Sequence, residues 1–132
     1  MTQDAPSSGA GGARPLLTVL VADDEPLIVR AIARLLERRG HVVYTAPDAH
    51  GALRLIEEHT FDAVVVDQRM PGDGLTVLRA LSDALTFPGI AILMTGGLAS
   101  DPMEWTDLEV LRLQKPFRFS AVVPLVERAG RH

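Results

Sequence analysis

Val64-Val65-Val66-Asp67-Gln68-Arg69-Met70-Pro71-Gly72 is the stretch on which the fold turns. Three β-branched apolar residues run into a carboxylate, and a Pro/Gly loop follows. A continuous apolar run of this kind reads as a strand buried on both faces. In parallel sheets such strands end at the rim where ligands bind. Asp67 therefore stands where the core stops, and the rest of the chain is read for groups that could meet it there.

The 132 residues suffice for one domain with a real core, and 47% of them are hydrophobic. That composition excludes a disordered chain, and no apolar run approaches the roughly 20 residues of a membrane span. There is no cysteine, which removes disulfides and thiolate metal sites and fits the cytoplasm. No signal-peptide pattern opens the chain, so membrane insertion is not expected. The net charge of −4 argues against a direct nucleic-acid surface. Twelve of the 13 basic residues are arginine, and the one lysine is Lys115.

Residues 1–15 are small, polar and Gly/Ser-rich, and are read as a flexible tail ahead of a domain spanning 16–130. Strands are predicted at Leu16–Ala22, His41–Thr45, Phe61–Val66, Ile90–Met94 and Val110–Leu113. Helices fall between them. One opens at Pro26 and stops at Gly40, a second is capped by Asp48, and a third is marked by Leu75, Leu78, Leu81 and Leu85. Leu98–Glu109 carries the weakest helical signal, with Pro102 inside it. A last helix is expected over Ser120–Arg128, where Pro124 is tolerable near the first turn. Alternating strands and helices imply an α/β doubly wound parallel sheet, a flavodoxin-like (βα)5 in the order 2-1-3-4-5 with a short or irregular fourth helix.

That order brings several strand ends to one place. Asp23 and Asp24 end the first strand, Asp67 the third, Thr95 the fourth and Lys115 the fifth. A lone aspartate at a strand end is ordinarily a turn residue, and one acid suffices to cap a helix. An acidic pair beside Asp67 exceeds both needs. Crowded carboxylates repel unless a divalent cation joins them, and an all-oxygen donor set favours Mg²⁺. A lysine in an otherwise arginine chain suggests a compact point charge. His41, His50, His59 and His132 lie on separate elements and are read as surface or half-buried. Trp105 and Met103 are read as packing the weak fourth helix.

LVADDEP, VVVDQRMPGDG, ILMTG and LQKPF, in this order over about Leu16–Ala129, resemble the receiver domain of two-component response regulators. The resemblance implies that Asp67 accepts a phosphoryl group from a phosphohistidine on a sensor histidine kinase or histidine phosphotransfer protein. It further implies that Asp24 and Asp67 bind Mg²⁺ with the backbone carbonyl of Arg69, that Asp23 helps, and that Thr95 and Lys115 contact the phosphoryl oxygens. Chemistry of that type needs positioning and charge neutralisation, which such a set provides.

Two features depart from the family. The position three residues before the lysine, usually Tyr or Phe, is Arg112, which cannot fill the same apolar slot. The Thr95–Lys115 interval is slightly short, and the shortage falls in the fourth helix. The expectation is intact phosphorylation chemistry with an altered output face, in a stand-alone receiver acting by protein contact or relay. The alternatives are a phosphorylation-independent interaction module and a receiver cut from a larger regulator. A flavin protein or an aspartate-nucleophile phosphatase on this topology is disfavoured. The acid pair would repel a flavin phosphate, and Arg69 stands where the phosphatase needs an acid.

Overall fold

The structure, a computed structural model, describes residues 15–84, 87–97 and 103–131. Residues 1–14 of the tail expected over 1–15, Leu85, residues 98–102 of the weak helical stretch and His132 lie outside them. Five strands form one parallel sheet: β1 (Thr18–Ala22), β2 (Val42–Ala46), β3 (Ala63–Asp67), β4 (Ile90–Thr95) and β5 (Val110–Gln114). Their order is β2-β1-β3-β4-β5, as the pattern predicts. The central pair aligns Ala22 with Val66, so the β1 and β3 ends reach one rim together.

Period-two alternation divides the strands between two cores. Val19, Val21, Ala63, Val65, Ile90, Ile92 and Met94 pack with Ile32 and Leu36 of α1 (Pro26–Arg38) and Val122 and Val126 of α4 (Val122–Glu127). Leu20, Ala22, Val64, Val66, Ala91 and Leu93 pack with Ala49 and Ala52 of α2 (Ala49–Glu58) and Val77, Leu78 and Leu81 of α3 (Gly74–Asp83). Each fully buried Leu or Ile contributes roughly 2 kcal/mol of apolar transfer. That burial holds the two helix layers against the sheet and keeps its rim in register.

The helix boundaries follow local chemistry. Pro26 opens α1, and Gly40, at φ +94°, follows its end. Asp48 caps α2 by accepting from the Gly51 N–H at 2.7 Å. The last helix is shorter than expected: α4 is flanked by 3₁₀ turns at Phe119–Ala121 and Arg128–Arg131, with Pro124 in its first turn. The fourth helix is absent among the described residues. Residues 103–109 form turns and bends that lie against α3 instead. Met103 is buried there, at φ +55°. Trp105 stacks under the Arg79 guanidinium at 4.4 Å, and Thr106 Oγ1 bonds to Ser82 Oγ.

One histidine is not where the sequence suggests. His41 is fully buried at the end of the sheet remote from Asp67. Its Nδ1 accepts from the Leu17 N–H at 3.0 Å, so Nε2 carries the proton and donates to Glu127 Oε2 at 2.9 Å. Arg39 grips both oxygens of the same carboxylate, at 2.9 and 2.6 Å. Hydrogen bonds from Arg39 hold the Glu127 carboxyl at about 2, against an ordinary 4.5. The clamp joins the entry of β1, the α1–β2 turn and the end of α4.

Candidate functional site

Two strand ends deliver the acidic cluster. Asp23 and Asp24 follow β1, and Asp67 is the last residue of β3. One carboxylate oxygen from each lies within 4.8 Å of the others. Asp23 and Asp67 are buried, while Asp24 faces solvent and keeps the cluster accessible.

Lys115, just past β5, reaches into this cluster. Its Nζ lies 3.2 Å from Asp23 Oδ2, 3.4 Å from Asp67 Oδ2 and 3.5 Å from Glu25 Oε1. Its backbone N–H donates to the Thr95 carbonyl at 2.7 Å, tying the ends of β4 and β5 together. The Lys115–Pro116 peptide is cis. Thr95 itself is buried, so its side chain sits on the same rim inside the fold.

The loop after Asp67 is held on both sides. Gln68 donates its N–H to Met94, and Gly74 donates to Gln68. Asp73 takes a left-handed φ of +70° and caps α3 through the Leu75 N–H at 2.9 Å. The Arg69 N–H turns back to Asp67 Oδ1 at 3.4 Å. A Cβ on Gly74 would collide with the carbonyl of Asp67, so glycine lets the helix start directly beneath the aspartate.

The electrostatics show a site short of positive charge. Burial raises the Asp67 carboxyl above its usual range, and the neighbouring Asp23 charge adds to this against the opposing pull of Lys115. Burial alone would lower Lys115, but its bond to Asp23 and the charges of Asp23 and Asp67 raise it overall. One ammonium thus serves several acids. An oxygen-only cluster with one solvent-facing member is able to chelate a divalent cation.

All the strand-end residues expected from the sequence meet at this rim: Asp23, Asp24, Asp67, Thr95 and Lys115. Glu25, the residue before α1, joins them: its carboxylate faces Lys115, and its N–H donates to Asp23 Oδ1 at 3.0 Å. The signal available was a third consecutive acid. Arg112 is exposed on the edge strand, as its charge requires.

A central acidic cluster thus lies at the switch point of a 2-1-3-4-5 parallel sheet, faced by a lysine just past the edge strand. The profile of the response regulator receiver domain matches residues 19–126. The chain belongs to that family. A receiver domain from Clostridium thermocellum superposes with a TM-score of 0.73 at 31% identity, over 88% of this chain and 95% of that one. The response regulator TrrA from Thermotoga maritima, solved in complex with Mg²⁺ and BeF, gives 0.70 at 29% identity, over 85% and 97%. The transcriptional regulatory protein KdpE of Mycobacterium tuberculosis is 45% identical over 75 residues, covering 56% of this chain and 33% of KdpE. The chain thus spans about a third of the length of that curated relative. Among the described residues, no helix is long and apolar enough to cross a membrane.

Proposed function

We propose that Asp67 is the phosphoacceptor of a Mg²⁺-dependent switch, charged by the phosphohistidine of a sensor histidine kinase or phosphotransfer protein. The observation that carries this reading is the approach of Lys115 Nζ to both Asp23 and Asp67 within the three-aspartate cluster. Asp24, Asp67 and the Arg69 carbonyl would hold Mg²⁺, with Asp23 assisting. When bound, the ion would neutralise charge on the transferring oxygens.

The chain's own groups do the rest. An Asp67 oxygen attacks phosphorus, the bond to the histidine nitrogen breaks, and an acyl phosphate results. The fixed β3–α3 loop keeps the attacking oxygen in line. Lys115 exchanges a carboxylate partner for a phosphoryl oxygen, and the Thr95 hydroxyl donates to another. The receiver then signals by protein contact or relay, in the cytoplasm, whether alone or as part of a longer regulator such as KdpE.

Incubation with acetyl phosphate is the test. Phosphoryl incorporation should require Mg²⁺ and disappear in Asp67→Asn. Undiminished incorporation in that variant would refute the assignment.

A further inference from the structure

We infer that Glu25 is a positioning residue for the phosphotransfer site: it occupies one donor of the Lys115 ammonium in the uncharged protein, and it is the partner that Lys115 gives up when a phosphoryl group arrives. The inference rests on the phosphoacceptor reading above and names the carboxylate that is exchanged.

An ammonium offers three N–H donors. Among the described residues three carboxylates stand around Lys115 Nζ: Asp23 at 3.2 Å, Asp67 at 3.4 Å and Glu25 at 3.5 Å. The lysine has no donor to spare, and a phosphoryl oxygen gains one only when a carboxylate lets go. The three differ in how readily they can be released. The Asp23 side chain is fully buried and that of Asp67 is 6% exposed, whereas that of Glu25 is 62% exposed and its contact is the longest. A buried carboxylate that loses its cation is left uncompensated, while an exposed one is rehydrated. Glu25 is therefore the easiest to displace.

Two further observations separate this role from ordinary ones. Glu25 is the N-cap residue of α1, but its side chain makes no capping hydrogen bond. The carboxylate turns instead to a lysine 90 residues away. Nor does it join the metal cluster: the oxygens that lie within 4.8 Å of one another come from Asp23, Asp24 and Asp67. The Glu25 backbone N–H does hold Asp23 Oδ1, at 3.0 Å. That bond survives a change of side chain, so a substitution at 25 reads the carboxylate alone.

Charge fixes the direction. Glu25 competes with the phosphoryl oxygen for one donor and repels its negative charge, so it acts as a brake. Removing the carboxylate should tighten phosphoryl binding on the scale of one exposed ion pair, about threefold. Salt should erase the effect, because water reaches the pair.

Lys115 is the only lysine in the chain, so labelling with isotopic lysine gives one side-chain NMR signal that reports this ammonium directly. Wild type and Glu25→Gln are compared in Mg²⁺ with beryllofluoride, whose uptake is followed by fluorine NMR. Before beryllofluoride is added the two Lys115 signals should differ, and after saturation they should coincide. Glu25→Gln should bind beryllofluoride about threefold more tightly at low salt and equally in about 1 M salt. Glu25→Ala should act in the same direction. Glu37→Gln, the same charge change on an exposed residue at the far end of α1, should alter neither signal nor affinity. Unchanged or weaker affinity in both Glu25 variants, equal tightening in Glu37→Gln, or Lys115 signals that stay apart after saturation would overturn the inference while leaving Asp67 as acceptor. Failure of beryllofluoride to bind any of these proteins would remove the phosphoacceptor reading and this inference with it.

Discussion

Replacing Glu127 with Gln tests whether the clamp remote from the site holds the fold. Glu127 is about nine-tenths buried and receives two bonds from Arg39 and one from His41. Its carboxyl titrates at about 2 in the folded chain, against 4.5 ordinarily. A depressed acid stabilises the fold above its unfolded value, and that stability is lost as pH falls toward its folded value. The difference corresponds to roughly 3 kcal/mol at pH 7, reduced to about 2 because the Arg39 side chain is 42% exposed and screened by water. Urea unfolding of wild type and Glu127→Gln should differ by about this much at pH 7. The gap should shrink by roughly half at pH 3, where the wild-type carboxylate begins to protonate. Phosphoryl incorporation should be unaffected, because the clamp lies at the other end of the sheet. A gap that is constant from pH 7 to pH 3, or below about 0.5 kcal/mol throughout, would refute the reasoning.

Three further outcomes concern the site. Asp67→Asn should stabilise the metal-free protein, because it removes a charge that burial and the neighbouring Asp23 disfavour. Thermal melting reads this, and Mg²⁺ should raise the melting temperature of wild type more than that of the variant. Lys115→Ala should lower phosphoryl incorporation by tenfold or more, since no second described ammonium faces Asp67; initial rates from acetyl phosphate would show it. Gly74→Ala should destabilise the fold by about 3 kcal/mol and impair incorporation, because its Cβ would displace the Asp67 carbonyl. Urea denaturation and the same labelling assay measure both effects.

Much of this molecule was legible because its pattern is redundant. Val64–Val66 and the central residues of the strands beside it form continuous apolar runs, so their burial on two faces needs no tertiary information. The flavodoxin-like order 2-1-3-4-5, which the structure shows, then brings Asp23, Asp67 and Lys115 to one rim. Other features depend on contacts between distant segments. His41 looks like an ordinary turn histidine until Leu17 and Glu127, 24 and 86 residues away, close around it. Glu25 looks like a helix-start acid until Lys115 arrives from 90 residues on. The irregularity after β4 was signalled by Pro102 and the short interval. Its docking on α3 was not, because an Arg79–Trp105 stack leaves no periodicity to read.

The central claim is that this rim carries a phosphoryl group on Asp67. Charging the protein in Mg²⁺ with acetyl phosphate, reducing the acyl phosphate with borohydride and mapping the peptides locates the modified carboxyl directly. The account predicts the reduced side chain at position 67 and nowhere else. Reduction at another acid, or none in protein that has bound Mg²⁺, would contradict it.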